Sequence, residues 1–139
     1  MLKIKKISKK YFLDVVELLQ DLSPFYPSED THEFIWDEYI SQPSLRAFIA
    51  LSEGSVVGYG SYILEKSIRG GKRAHIEEIV THPNFQGKSI GKKIVTRLCN
   101  EAKKEGCYKA VLHCNQHNVG FYEKCHFSIA GRSMSKNLK

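Results

Sequence analysis

The sequence of 139 residues contains no apolar run that approaches the roughly 20 residues needed to cross a bilayer. Its first residues, Met1 to Ile7, lack the apolar core of a signal peptide, and their alternating apolar and basic side chains predict a strand instead. Internal repeats, linkers and low-complexity segments are also missing. We therefore expect a single domain over residues 1–139, in a soluble, cytoplasmic protein with no membrane partner.

The four cysteines form no Cys-x-x-Cys pair and have no spacing typical of a zinc site. Cys107 and Cys114 flank a strand that we expect to be buried, where a thiol behaves as a small apolar side chain. We expect reduced, structural cysteines and no metal centre, with an incidental disulfide as the alternative.

The sequence also has little that is typical of a nucleic-acid-binding protein, although its formal charge is +6. Basic residues are scattered, and neither an aromatic RNA-binding motif nor a long block of lysines and arginines is present. The lysines cluster mainly around one glycine-containing turn and the helix that follows it. A local anionic ligand explains that cluster at least as well, so we do not expect nucleic acid as a partner.

The most informative feature is this basic glycine turn, residues 85–93, which lies between an apolar segment and an amphipathic helix. Gly87 and Gly91 let the backbone approach a ligand closely, because neither has a Cβ atom. The next helix directs its unpaired N–H groups and the positive end of its dipole to the same place. The spacing fits neither a Walker loop nor the G-x-G-x-x-G pattern. The turn indicates a pyrophosphate site, and a solvated strand-to-helix loop is the alternative.

Hydrophobic spacing predicts the element order β-α-α-β-β-β-α-β-α-β. The predicted strands are Leu2–Ile7, Arg46–Ser52, Ser55–Lys66, Arg73–Val80, Cys107–Cys114 and Phe127–Ser135. The predicted helices run from Ser8 to Leu22, from an N-cap at Ser28 to near Pro43, from the glycine turn to Gly106, and from Val119 to Lys124. The fold class is therefore α+β in three layers, with a mixed and mainly antiparallel sheet and helices on both faces.

Four runs of the sequence carry a family resemblance. They are HIEEIV at 75–80, QGKSIGK at 86–92, GCYK at 106–109 and NVGFYEKC at 118–125. In this order they resemble the GCN5-related N-acetyltransferases (GNAT), and most of all the glucosamine-6-phosphate N-acetyltransferases among them. The resemblance implies acetyl-CoA as cosubstrate, direct attack by the amine of an amino-sugar phosphate, and a homodimer that exchanges C-terminal strands.

The resemblance also implies which residues bind acetyl-CoA. The amides of the glycine turn would hold the pyrophosphate, and the edge of the strand at residues 79–81 would pair with the pantetheine arm. Tyr122 would donate a hydrogen bond or a proton to the departing thiolate, whereas its alternative role is that of a core aromatic residue. The implied cofactor-binding residues are Ile79, Val80, Thr81, Gln86, Gly87, Lys88, Ser89, Ile90, Gly91, Lys92, Asn118, Phe121, Tyr122 and Lys124.

The acceptor side needs a base that removes a proton from the ammonium group. Glu77 and Glu78 are neighbours on a strand, so only one of them can face the cleft unless a bulge intervenes. A bulge is typical of this strand in the superfamily. His113 stands where the family has an acidic residue; it either replaces that base or is a hydrogen-bonded core histidine. The implied catalytic residues are Tyr122, Glu77 and His113, and the implied substrate-binding residues are Glu77, Glu78, Lys66, His113 and Lys136.

Departures from the family leave the acceptor open. Glu78 replaces an aspartate, His113 an acid and His126 a glycine, and the basic residue that many relatives carry near the C-terminus falls at or beside Asn137. The available phosphate partners are Lys66, Arg69, Lys72, Arg73 and Lys136. The alternatives are another small-molecule or peptide amine as the acceptor, or a non-catalytic module that binds acyl-CoA or nucleic acid.

Overall fold

The computed structural model describes all 139 residues and contains one five-stranded sheet with its strands in sequential order. The strands are β1 (Leu2–Lys6), β2 (Leu45–Ser52), β3 (Ser55–Lys66), β4 (Lys72–Thr81) and β5 (Lys109–Leu112). Neighbouring strands from β1 to β4 are antiparallel, and β5 is parallel to β4. The predicted mixed, mainly antiparallel sheet is confirmed.

Four α-helices accompany the sheet. They are α1 (Phe12–Leu19), α2 (His32–Ile40), α3 (Ile90–Lys104) and α4 (Val119–Lys124). Short 3₁₀ turns precede α1, α2 and α4 directly, at Lys9–Tyr11, Glu29–Thr31 and Gln116–Asn118, and a fourth lies at Pro83–Phe85. None of the helices combines the length and hydropathy that crossing a bilayer would require.

The helices cover both faces of the sheet, as the sequence predicts. Alternate residues of β2 point to opposite faces: Phe48 and Ala50 pack with α3, whereas Ala47, Ile49 and Leu51 pack on the side of α1. Because both faces are covered, the centre of β2 is a continuous apolar run instead of an alternating one. On α3 the buried stripe is Ile90, Ile94, Val95, Leu98 and Ala102.

The boundaries of the first two helices and of β5 differ from the prediction. Residues 9–11 and 29–31 form 3₁₀ turns, so the α-helices begin at Phe12 and His32. The predicted cap at Ser28 is not formed, because its side chain makes no capping hydrogen bond to the turn that precedes α2. The strand predicted over residues 107–114 pairs only at Lys109–Leu112, because β4 diverges from it beyond Ile76.

The predicted final strand, Phe127–Ser135, is wrong for the single chain. No strand follows α4, and Ile129 and Met134 are 76% and 94% exposed. A strand needs a neighbouring strand to satisfy its backbone groups, and this segment pairs with no strand of its own chain.

Close packing at Gly60 leads to a prediction about stability. A Cβ atom there would lie 2.6 Å from the Ile79 Cδ1 atom and 2.7 Å from the Ile94 Cγ2 atom, in the core between β3, β4 and α3. We expect Gly60→Ala to lower the free energy of unfolding by about 1–3 kcal/mol through overpacking.

Urea denaturation checks this expectation against a matched control. Gly120 lies in α4, and no atom comes within 4 Å of the position that an added methyl group would occupy, so Gly120→Ala should be neutral or stabilise by up to about 1 kcal/mol. Equal midpoints for the two variants would contradict the packing argument.

Candidate active site

A β-bulge distorts β4 beside the two glutamates. Tyr59 of β3 pairs with Val80, and Ser61 pairs with Glu77, so Gly60 alone opposes both Glu78 and Ile79. Glu78 adopts a left-handed backbone conformation with φ of 52°, which costs on the order of 1 kcal/mol or more for a residue other than glycine. The bulge expected in this strand is confirmed.

The bulge places both carboxylates on the face of the sheet that α1 and α2 cover. Glu77 is opposite Ser61, which shares that face with Tyr59 by strand alternation. Glu78 lines a cavity together with Tyr59 and Tyr39 of α2 on the same face. A regular strand would have directed the two acids to opposite faces, so the pair exists only because the bulge adds a residue.

Glu78 has the electrostatic character of a base. Loss of hydration among its neighbours raises the pKa of the Glu78 carboxyl, and the charge of Glu77 raises it further. The Glu78 residue is exposed in the single chain, so this loss of hydration is partial. A carboxylate with a raised pKa accepts a proton near neutral pH more readily than an ordinary one.

The strands β4 and β5 separate next to this pair. Their pairing runs from Arg73–Lys109 to Ile76–Leu112 and then ends, so the edge of β4 from Glu77 to Thr81 has no neighbouring strand. An extended ligand can form hydrogen bonds with the backbone of such an edge, in the way that an additional strand would. The predicted pantetheine contacts at residues 79–81 all lie on it. His113 follows the last paired residue of β5 and is exposed, so it is not a core histidine.

The glycine turn leaves its amides free for a ligand. Gly87 and Ser89 both have left-handed backbones, with φ of 83° and 62°. The first N–H group of α3 with a backbone acceptor is that of Lys93, which donates to the Ser89 carbonyl oxygen over 3.0 Å. Ser89 does not cap the helix with its side chain, and the first turn carries no acidic residue. The amides of residues 87–92 can therefore serve a pyrophosphate, as the sequence predicts.

Gly91 is the point where two of the four motifs meet the end of β4. A Cβ atom there would lie 3.2 Å from the Phe121 ring and 3.4 Å from the Thr81 hydroxyl oxygen. The turn, the end of β4 and α4 are thus in contact around one glycine. Ile90 beside it is buried in the core, where it anchors the turn, whereas Gln86, Lys88 and Lys92 are exposed.

Tyr122 of α4 is half-buried between two aromatic rings. The ring centroid of Phe121 is 4.9 Å away and that of Phe127 is 5.9 Å away, both edge-to-face. Burial raises the pKa of Tyr122 to about 12, and the thiols of Cys114 and Cys125 add to that rise. The phenol therefore keeps its proton at neutral pH and can donate it.

The other predicted residues of α4 lie at its two ends. Asn118 precedes the first residue of the helix, and Lys124 is its last residue; both side chains are exposed. His126, just beyond, has a φ of 71°, the left-handed region that glycine adopts without strain. The position at which the family has glycine is thus a genuine left-handed position in this chain.

The single chain does not bring the predicted phosphate partners to the glutamates. Lys66 is exposed and pairs across the strands with Lys72, five residues or about 17 Å along β4 from Glu77. Lys72 donates to the Glu105 carbonyl oxygen over 3.2 Å, and Arg73 forms an ion pair with Glu65 at 2.5 Å. Lys136 lies in the exposed C-terminal segment.

Sequence reasoning missed two residues of the site, Tyr39 and Tyr59. Their hydroxyl groups are hydrogen-bonded to each other, and burial is the first cause of the raised pKa of both phenols. They are 20 positions apart in different elements, and no motif links them. The only signal in the sequence concerns Tyr59: the alternation of side chains along β3 predicts that this tyrosine is buried.

The sheet, with its diverging β4 and β5 and a glycine turn before α3, is the fold of an acetyltransferase. The model of the Acetyltransferase (GNAT) family matches residues 13–127. The chain belongs to this family, and the predicted resemblance and fold class are confirmed.

Relatives and a solved structure agree with this assignment. A glucosamine 6-phosphate N-acetyltransferase of Candida albicans is 33% identical over 88% of this chain and 84% of its own. The enzyme of that name from Arabidopsis thaliana is 41% identical over 61% of this chain, a match that spans 58% of the relative's length. The crystal structure of glucosamine-6-phosphate N-acetyltransferase from Arabidopsis thaliana superposes with a TM-score of 0.91 at 32% identity, over 100% of this chain and 99% of that one.

Proposed function

We propose that this protein is an acetyl-CoA-dependent N-acetyltransferase and that its acceptor is the amine of glucosamine 6-phosphate. The observation that carries the proposal is the bulge in β4, which places two carboxylates beside an open strand edge that can hold the donor. The names of the similar proteins support the choice of acceptor.

Acetyl-CoA would supply the thioester that is attacked. The N–H groups of residues 87–92 hold its pyrophosphate, and the free edge of β4 aligns its arm with the bulge. Glu78 takes a proton from the ammonium group of the acceptor, which leaves the nitrogen lone pair free to attack. Tyr122 donates its hydroxyl hydrogen to the sulfur as the carbon–sulfur bond breaks, and the second proton lost by the nitrogen after its attack restores the phenol.

The proposal is tested by measuring free thiol release with a panel of amines. We expect turnover with glucosamine 6-phosphate and a higher KM with unphosphorylated glucosamine, because the phosphate adds charged hydrogen bonds to the acceptor. An acetylated product that forms only from a different amine would refute the acceptor. Tight acetyl-CoA binding without turnover of any amine would favour a binding module.

We further propose a homodimer in which the C-terminal segment of one chain packs on the other. Residues 128–139 are exposed in the single chain, carry apolar side chains at Ile129 and Met134, and include the basic residues Arg132 and Lys136. The outer edge of β5 has no partner strand. A segment of this kind could complete the sheet of a second copy and bring a base to its sugar phosphate.

Light scattering after gel filtration tests the dimer. We expect the full chain to have twice the mass of one protomer and a chain truncated after residue 127 to be monomeric, with a raised KM for glucosamine 6-phosphate. The double variant Arg132→Ala and Lys136→Ala should stay dimeric, and its KM should rise. A monomeric full-length chain would contradict the proposal.

A further inference from the structure

A cavity lies beside Glu78, between the sheet and the helices α1 and α2. Its volume is about 360 Å³, and 10 of its 12 lining residues are hydrophobic. Phe12, Val16 and Leu19 of α1 form one wall, Ile35 of α2 forms another, and Phe25 of the connecting loop lies at its side. The cavity falls in the size range of small-molecule sites, about 300–1,000 Å³.

The proposed sugar phosphate does not suit this cavity. None of its lining residues is a lysine or an arginine, and the only charged one is Glu78. A phosphate dianion placed there would lose its hydration without gaining a cation, which is strongly unfavourable. We therefore do not expect the phosphate group of the sugar to enter this cavity.

Among the polar groups that line the cavity, the Glu78 carboxylate has no ion-pair partner. The hydroxyl groups of Tyr39 and Tyr59 are hydrogen-bonded to each other on the sheet side. Glu78 takes part in none of the ion pairs of the chain. An apolar cavity that ends at an unpaired carboxylate is complementary to a primary ammonium group with an apolar arm.

We infer that the cavity binds the apolar arm of a primary arylalkylamine with its ammonium group at Glu78, and that such amines are a second acceptor class. A cavity of about 150 Å³ already holds benzene, so the cavity beside Glu78 has room for a phenylethyl arm. The ammonium group gives one proton to Glu78, and the nitrogen then forms a bond to the acetyl carbon. The carbon–sulfur bond breaks, the sulfur takes a proton from Tyr122 to leave as free thiol, and the second proton lost by the nitrogen restores the Tyr122 hydroxyl group. The inference rests on the proposed function, because it uses the same donor and the same base.

The test uses 2-phenylethylamine as the probe, and 2-phenylethanol as its uncharged counterpart. Calorimetry on the full chain without acetyl-CoA should detect binding of the amine and at least tenfold weaker binding of the alcohol. The thiol assay should then show acetylation of the amine. Glu78→Gln should weaken amine binding to the level of the alcohol.

Cavity-filling variants separate this site from the sugar-phosphate site. We expect Val16→Phe and Ile35→Phe to raise the KM for 2-phenylethylamine roughly tenfold or more, with the KM for glucosamine 6-phosphate within twofold. Leu13→Phe is the matched control, because Leu13 is 58% exposed on α1 and does not line the cavity; both constants should stay unchanged. Circular dichroism verifies that each variant is folded.

The outcomes separate the two proposals. If the chain turns over glucosamine 6-phosphate but neither binds nor acetylates 2-phenylethylamine, the inference is overturned and the proposed function stands. If only the arylalkylamine is acetylated, the inference stands and the sugar-phosphate acceptor falls. Equal sensitivity of both substrates to the two filling variants would also overturn the inference.

Discussion

Tyr122→Phe is expected to lower kcat by about 10²–10⁴-fold while the Kd for acetyl-CoA changes by less than about threefold. The effect falls on kcat because the hydroxyl hydrogen is needed only as negative charge develops on the sulfur. Burial raises the pKa of Tyr122 to about 12, so the phenol stays protonated, and able to donate, at every pH below that value. Phenylalanine keeps the contacts with Phe121 and Phe127 and removes only the hydroxyl group.

Thiol release under saturating conditions measures kcat, and calorimetry measures acetyl-CoA binding. Tyr11→Phe is the matched control: it removes the same hydroxyl group from a ring in the 3₁₀ turn before α1, near the ammonium groups of Lys5 and Lys10. Its kcat should equal that of the parent protein. A Tyr122→Phe variant with unchanged kcat and weakened acetyl-CoA binding would assign this residue to the packing of the site alone.

Glu78→Gln should lower kcat/KM by about 10²–10³-fold and remove the acid limb of its pH profile. The base must be deprotonated to accept a proton, so activity rises with pH through the pKa of Glu78. Lost hydration and the charge of Glu77 raise that pKa, which moves the limb above the ordinary glutamate value of about 4.3. Glutamine keeps nearly the same shape and cannot accept the proton.

Two further variants decide which group is the base. Glu77→Gln and His113→Gln should keep the acid limb, because Glu78 lines the apolar cavity and neither of these two residues does. Glu53→Gln, in the β2–β3 turn, controls for the loss of one negative charge. If the limb vanishes in Glu77→Gln or in His113→Gln and persists in Glu78→Gln, the base is the residue that the sequence had implied.

Local patterns were enough to predict most of the fold. The β2–β3 hairpin follows from Glu53-Gly54, both of which have left-handed backbones in a two-residue turn between Ser52 and Ser55. The helix α3 follows from its apolar period and from the glycine that stops it, Gly106, with φ of 90°. Signals of this kind are contained within a few residues, so they can be recognised without knowing the rest of the chain.

The donor half of the candidate site was likewise visible, whereas the acceptor half was visible only in part: the resemblance pointed to Glu77, Glu78 and the bulge, but nothing pointed to Tyr39 and Tyr59. The glycine turn and the run at Asn118–Cys125 are each a continuous stretch of sequence, so each can be recognised by itself. The structure brings the two stretches together at Gly91. The acceptor half depends on contacts between distant segments: Tyr39 reaches Tyr59, and both face Glu78 across the cavity. No pattern within one segment could have predicted that meeting.

The sequence by itself determined the family, the order of elements as far as α4 and the place of the glycine turn, because each is encoded in adjacent residues. Only the tertiary structure decided which carboxylate has the character of a base. A one-residue mismatch between β3 and β4 turns Glu78 to the same face as Glu77. Partial loss of hydration beside the cavity, together with the charge of Glu77, raises the pKa of its carboxyl group. Register and burial depend on the partner strand and the covering helices, so they arise only when the chain is folded.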